Sequence, residues 1–514
     1  MRSGVLSTIY ITLMSLFANS PNFDSDDRVS KTNDITEPLS SIYTVDNAIL
    51  DAYDVVKELI PFEQGFRSLS IRQMIVAFQK SFYAVLVLAP ALFSRVLIDT
   101  SGFVFLNHIK DKDSQTLFGV YDTYYIVFNV CLMGSLVDKF SIDMSKAFGD
   151  KDYERVKKIF TQSGIVCLLL MILFTLPSVL FAKSVLMFIG VEEEKAGPVQ
   201  DIAILALPMI LINMVGEYIK SFCLSQGHEK ILGYTSLVSM VLTVVANYYV
   251  LVNRRMGIAG WILTKTANEV ISLFVTILVY FRTVPESRGL ASVKEACEGF
   301  WSFFCEALKF MFSIYPECLG FELTMYFILL KRDDNQTAAY NCIVNITGII
   351  FCFGIAFSII CRTRINILIG MKRKIAAKNF FIFFTVCTVF IGFLLGVSLY
   401  FTRSLLARAF SDSSDDMKHW FYRLLFIYST VAGIQLAMCT IMVGMKTAGK
   451  VTVLLIINVI ISLGGSLATG YIIYRHELPC DAQFTGYMAL GNLLTVIVLI
   501  ITLSSDWSTI KVDG

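Results

Sequence analysis

The sequence predicts an all-α polytopic membrane protein of twelve transmembrane helices, arranged as two six-helix bundles related by a pseudo-two-fold axis along the membrane normal. Three observations carry this prediction. Of 514 residues, 55% are hydrophobic and only 16% charged, against roughly 25% charged in an average soluble chain. The mean hydropathy of +0.66 is spread over repeated apolar blocks of about 20 residues, the length that crosses ~30 Å of hydrocarbon as a helix. Finally, the two halves of the chain carry similar landmarks in the same order.

In chain order, the spans fall at 81–106, 116–137, 159–182, 199–219, 231–252, 257–281, 310–330, 337–361, 379–401, 421–443, 451–474 and 482–504. Lys and Arg concentrate in the loops on the N-terminal side, which places both termini in the cytoplasm and the protein in the plasma membrane or an endomembrane. A net charge of +2 leaves no broad basic face for nucleic acid. Two loops dominate the positive side. One is 138–158, with Lys139, Lys146, Lys151, Arg155, Lys157 and Lys158; the other is 362–378, with Arg362, Arg364, Lys372, Arg373, Lys374 and Lys378. Both read as solvated topological anchors, with lipid-headgroup binding as the alternative.

These spans divide the chain into four parts. Residues 1–74 hold a hydrophobic segment and an acidic, largely disordered tail. Within this part, VLSTIYITLMSLFA (5–18) reads as a signal-peptide core, an extra span or neither, and NAILDAYDVVKELI (47–60) as a short surface helix. Residues 75–282 form the first bundle, 283–306 a cytoplasmic linker, and 307–514 the second bundle with a short tail.

The repeat rests on paired landmarks. GDKDYERVKKIF from Gly149 lies over GMKRKIAAKNFF from Gly370, an offset of 221, and AKSVLMFIGVEEE from Ala182 lies over TRSLLARAFSDSS from Thr402, an offset of 220. Gly227 pairs with Gly444 and Gly260 with Gly486, offsets of 217 and 226. Six spans per copy is an even number, so both copies start on the same side of the membrane, which makes the repeat parallel. Two bundles related in this way leave a cleft near the midplane that opens to either side as they rock, the architecture of secondary transporters.

Several chemistries are disfavoured. There is no Walker motif for ATP coupling and no nucleophile or metal constellation of an enzyme. Most of the twelve cysteines sit in apolar spans without a CxxC pair, and the histidines, His108, His228, His419 and His476, sit in four separate loops. No disulfide framework, metal site or cofactor is expected.

The stretches MSKAFGDKDYERVKKIF, YIKSFCLSQGHEKILGYTSLVSMVLTVVANYYVL, GIAGWILTKTAN and AAYNCIVNITGIIFCFGIAFSIICRTRINILIGMKRKIAAKNF, in this order and spacing, resemble the multidrug and toxic compound extrusion (MATE) family over about 75–504. The resemblance implies a twelve-helix, cation-coupled exporter that acts as a monomer on small cationic or amphipathic substrates in the lipid bilayer. It also implies an acidic pair in the seventh helix, matched here by Glu317 and Glu322 in YPECLGFEL. Glu317 then exchanges protons and substrate, Glu322 supports it, and Asp99 in the first span approximates a first-half coupling acid. Two departures stand out. The aromatic spacing between the glutamates is replaced by Cys318, Leu319, Gly320 and Phe321, and Ala432 stands where relatives often carry an acid three residues before a position matched to Gln435.

The residues themselves support a special role for the glutamates. With ~1.5 Å rise per residue, Glu317 lies about 5 Å and Glu322 about 3 Å from the middle of the 310–330 span. A charge at such depth is disfavoured by about 2.5–3.5 kcal/mol on insertion scales, so both should face protein or a wet cleft. A carboxyl there can hold a proton when the site is empty and release it to an arriving cation, which is antiport with H+ ahead of Na+. The alternative is structural, with the glutamates bridging helices or bonding to Asn341 and Asn345. Pro316 should bend this helix and free a carbonyl near 312. Tyr315 and Phe321 flank the glutamates as pocket candidates, with Asn341 and Gln435 as further substrate contacts. Arg95–Asp99 and Lys265–Glu269 are spaced i, i+4 and are expected to pair. Two rival functions remain: a lipid-linked oligosaccharide or lipid flippase of related fold, which needs a basic cleft, and a non-transporting membrane receptor or enzyme.

Overall fold

In the computed structural model the described residues are 59–65, 69–108, 112–189, 191, 193–329, 334–410 and 415–510. The 5–18 segment, the acidic tail up to 58 and nearly all of 47–60 lie outside them. Among the described residues the regular structure is helical and no strand occurs. In the first half, α1 is Ile71–His108. Next, α2 joins Lys112–Tyr125 to Cys131–Gly149 through a π turn at Ile126–Val130, and α3 joins Tyr153–Leu170 to Leu176–Leu180 through Met171–Thr175. They are followed by α4, Glu193–Ser225; α5, Glu229–Asn247 with a π turn at Tyr248–Asn253; and α6, Gly257–Tyr280. In the second half, α7 is Phe300–Leu329, α8 Asp334–Gly370, α9 Lys374–Phe410 and α10 Asp415–Thr447. Then α11 joins Val451–Ile457 to Gly465–Arg475 through a π turn at Asn458–Gly464, and α12 is Cys480–Ser504.

Each predicted span falls on one of these helices. Among the described residues, eleven helices carry a stretch long and apolar enough to cross a membrane, and α7, with the block expected at 310–330, makes the twelfth. Helices satisfy their own backbone hydrogen bonds, which is what hydrocarbon demands. Large apolar side chains such as Val245, Phe274, Phe393 and Ile460 stand exposed on the outer helices, where they meet lipid.

The helices overrun their apolar blocks most at one end. There α2 continues to Gly149 and α8 to Gly370, so the two expected basic loops shrink to turns at 150–152 and 371–373. This corrects the solvated-anchor reading, because Lys139, Arg362 and Arg364 are buried. A buried charge survives when it is paired, and these are: Lys139 meets Asp143 and Glu306, Arg362 meets Asp138, and Arg364 meets Glu229. This end of the two bundles is the basic end.

The pseudo-symmetry is explicit in the backbone. Lys151 and Lys372, at φ 60° and 63°, end α2 and α8; Gly227 and Gly449, at 81° and 74°, follow α4 and α10; Arg255 and Glu477, both at 52°, precede α6 and α12. These pairs are 221, 222 and 222 residues apart. The true register is therefore steadier than the sequence pairings of Gly227 with Gly444 and Gly260 with Gly486, which followed residue identity where turn geometry sets the match. Packing between the halves obeys the same relation, since α1 packs on α8 as α7 packs on α2, while α2 and α8 meet each other. At their crossing a Cβ on Gly149 would strike the Ile367 carbonyl and one on Gly370 the Lys146 carbonyl. Residues 149 and 370, and 146 and 367, are both 221 apart, as a two-fold contact requires.

Candidate functional site

Glu317 lies near the middle of α7. Ser313 and Gly320, one turn to either side, are fixed to the π turn of α11. Asn458 Nδ2 donates to the Ser313 carbonyl at 2.6 Å, and Gly320 packs so closely that an added Cβ would lie 2.7 Å from the Ser462 carbonyl. Pro316, inside α7, leaves the carbonyl four residues back without its usual donor, and Asn458 braces the next residue. Replacing Asn458 with alanine is expected to destabilise the protein by about 1–3 kcal/mol, the cost of an unsatisfied buried group. Thermal unfolding in detergent checks this, and an unchanged midpoint would show that the brace is dispensable.

Because residues 313, 317 and 320 share a face of α7, Glu317 turns into the second bundle. Its Oε2 is buried and has no hydrogen-bond partner among the described residues. Among the described residues, Lys446 and Cys439 of α10 lie within electrostatic reach of it. Thr440 Oγ1, Ser466 Oγ and Asn458 Oδ1 are likewise buried with no hydrogen-bond partner among the described residues. Tyr315 sits on the opposite face, two residues and about 200° away, where it interacts with Tyr124 of α2 in the other bundle. It therefore borders the junction of the bundles, apart from the Glu317 carboxylate.

Gln435 donates to Asn492 Oδ1 at 3.0 Å and so ties α10 to α12. Ala432 is buried in the α9–α10 seam against Gly392 and Gly396. That seam has no space for a carboxylate, and the position is directed at α9. Asp99 and Arg95 lie on α1, Glu322 and Phe321 on α7, Asn341 and Asn345 on α8; their side chains fall outside the described residues.

The first bundle has its own polar centre. A cavity of about 60 Å³, room for several waters, is lined by Asn213, Glu217, Lys220, Asn268 and Glu269 among others. The expected Lys265–Glu269 pair does not form. Glu269 accepts from Asn213 Nδ2 at 2.9 Å, while Lys265 lies over the Trp261 and Tyr125 rings at 4.6 and 5.1 Å. The i, i+4 spacing permitted the pair, but two aromatic faces hold the ammonium. Asn247 binds Thr264, and donates to Ser101 Oγ at 3.0 Å and the Ile98 carbonyl at 3.2 Å, fastening α5 to α6 and to the turn of α1 that carries Asp99.

Sequence reasoning missed Asp138, Arg362 and Lys446, which meet between the bundles at the basic end. Lys446 Nζ lies 2.5 Å from Asp138 Oδ2, and Arg362 pairs with the other carboxylate oxygen. Both cations have only 1% of their side chains exposed. The one available signal was the position of Arg362 and Arg364 directly after a long apolar run, where a helix that continues carries them into the protein.

The MatE family model matches residues 140–249 and 311–472, one segment in each half and together more than half of the chain. Protein DETOXIFICATION 37 of Arabidopsis thaliana is 23% identical over 389 residues, 73% of this chain and 74% of the relative. Protein DETOXIFICATION 48 of the same plant is 21% identical over 235 residues, 45% of this chain and 44% of the relative, so there the chain spans under half of the relative's length. Among solved structures, the eukaryotic MATE transporter AtDTX14 aligns with a TM-score of 0.73 at 13% identity, covering 90% of this chain and 98% of that one. A mutant of the Vibrio cholerae MATE transporter VcmN aligns at 0.72 and 13% identity, covering 88% and 97%. At these identities the structures speak for the fold.

Proposed function

Because the chain belongs to the MATE family of membrane transporters, we propose that it is a secondary antiporter that exports organic cations or amphipathic compounds in exchange for protons, by rocking of its two bundles. The observation that carries this is Glu317, a carboxylate at mid-membrane depth with a buried oxygen that no described group satisfies. Buried polar groups are nearly always hydrogen-bonded, and an exception calls for an explanation. A transient occupant supplies one: Glu317 binds a proton or a cationic cargo in turn. Tyr315 at the bundle junction and Gln435 between α10 and α12 line the route, with Asp99, Glu322, Phe321 and Asn341 as further members of the coupling and substrate set. The basic end faces the cytoplasm, in keeping with the positive-inside rule, and a monomer contains the whole path. The flippase alternative needs basic groups free to hold a diphosphate; Arg362, Arg364 and Lys446 line the interface but answer to Asp138 and Glu229, which favours cationic cargo.

The test is transport of the fluorescent cation ethidium in proteoliposomes, under an imposed pH gradient or an imposed sodium gradient. Flux driven by the pH gradient alone is the expected result. Flux driven only by sodium, or by neither, would overturn the proton-antiport assignment.

A further inference from the structure

We propose that the segment joining the two bundles, 283–306, is an interfacial membrane segment, with Leu290, Val293 and Trp301 seated at the boundary between acyl chains and headgroups in the leaflet at the basic end. The inference is independent of what the protein carries. It gives a lipid surface as partner to a linker that the sequence alone assigned to the cytoplasm.

Depth is the first support. The linker is pinned to α3 and to the end of α6. The Ala291 amide donates to Thr161 Oγ1 at 2.9 Å, Gln162 Nε2 donates to the Ala296 and Glu298 carbonyls at 3.0 and 3.1 Å, and the Gly289 amide donates to the Tyr280 hydroxyl at 2.9 Å. Thr161 and Gln162 lie beyond Lys158, the last charge at that end of α3. At ~1.5 Å per residue they are about 13 Å from the middle of the 159–182 span, close to the edge of ~30 Å of hydrocarbon. The linker thus folds back to the level at which the bundle surface turns apolar. At that level Leu290, Val293 and Trp301 are 70%, 79% and 73% exposed, an arrangement disfavoured in water. Sidedness is the second support. The short helix Val293–Cys297 starts on a capping box of Ser292 and Glu295 and turns Ala296 inward, where it is buried. By helical rotation Val293 lies about 60° to one side of Ala296 and Glu295 about 100° to the other, with Lys294 facing outward. An apolar flank and a charged flank on either side of the docked face suit a helix lying in the membrane interface. Continuity is the third support, and it selects lipid over a protein partner. Trp301 is eleven residues, and so about 20° of rotation, from Phe312, which stands exposed inside the 310–330 span. It extends that lipid-facing strip of α7 to the headgroup level, where tryptophan is enriched, just as the exposed Phe274 and Phe281 carry the lipid face of α6 to the start of the linker.

The experiment attaches one nitroxide at a time to a cysteine replacing Leu290, Val293, Lys294, Glu295 or Trp301 in the full chain, with the exposed Cys297 and Cys305 changed to serine. In lipid nanodiscs, collisions of each label with oxygen, which concentrates in the bilayer, are compared with collisions with a water-soluble nickel chelate. Labels at the lipid-facing Phe274 and at Glu154, exposed at the basic end, supply the two reference ratios. The oxygen-to-nickel ratio at 290, 293 and 301 should shift from the Glu154 value toward the Phe274 value, while 294 and 295 stay with Glu154. Ratios at 290, 293 and 301 equal to that at Glu154 would put the linker in water and overturn the proposal. Shielding of these three labels from both reagents would overturn it as well, because a protein surface, of a second copy or another chain, would then cover them. A lipid-like ratio at 294 and 295 would show a submerged segment and defeat the interfacial placement.

Discussion

Replacing Glu317 with glutamine is expected to abolish pH-driven export while leaving a folded protein. The amide has the shape of the carboxyl and cannot take up or surrender a proton in the physiological range. Its buried oxygen already lacks a partner among the described residues, so substitution breaks no described contact and should not lower the thermal midpoint. For a cationic cargo the loss is larger. Removing one member of a buried charge pair weakens binding by about 2–5 kcal/mol, roughly 30-fold to several thousand-fold in affinity. Ethidium flux under a pH gradient should then fall to the level of protein-free liposomes, and ethidium binding measured without a gradient should weaken in parallel. A variant that transports normally would show that the carboxylate is a structural polar group and that coupling resides elsewhere. Weakened binding with persistent proton-driven flux would separate cargo recognition from proton exchange and move the latter to Glu322 or Asp99.

Glu317 itself was legible in the sequence, because hydropathy makes a carboxylate within an apolar span conspicuous. Its orientation was not. That Glu317 faces into its bundle while Tyr315 borders the opposite one depends on the phase of α7, which Asn458 and Ser462 of a distant helix fix. The twelve spans were legible for the same reason as Glu317, and their ends were not. Hydropathy stops at the first charges, whereas α2 and α8 run on through Lys139, Arg362 and Arg364 because each finds an opposite charge on another helix. The Lys265–Glu269 expectation failed through the same blindness to neighbours: spacing along one helix cannot reveal that Trp261 and Tyr125 present ring faces to the ammonium. The repeat was legible at Gly149 and Gly370 because the fold requires glycine there. It slipped at Gly227, whose structural counterpart Gly449 shares its left-handed φ.

Gly149 and Gly370 carry the other large expected effect. A methyl group on Gly370 would fall within 2.9 Å of the Asp150 nitrogen and the Gly149 Cα, and closer still to the Lys146 carbonyl. On Gly149 the obstacle is again main chain, at Ile367. Side chains can rotate away from an intruding methyl, but helical backbone cannot, so the basic ends of α2 and α8 must separate. Overpacking of this kind typically costs about 1–3 kcal/mol, and here it bears only on the conformation in which the helices touch. Gly370→Ala and Gly149→Ala should therefore lower the closed-to-open ratio about 5- to 150-fold, read from electron–electron distances between spin labels at the exposed basic-end positions Glu154 and Lys450. pH-driven export should fall as well, since the cycle must pass through the closed basic end. Gly134 of α2 and Gly348 of α8 provide the controls: they lie on the same two helices, and a Cβ on either meets nothing within 4 Å, so alanine there should leave both readouts unchanged. If Gly370→Ala kept the native closed fraction, the crossing at 149 and 370 would not be the contact on which closure of the basic end turns.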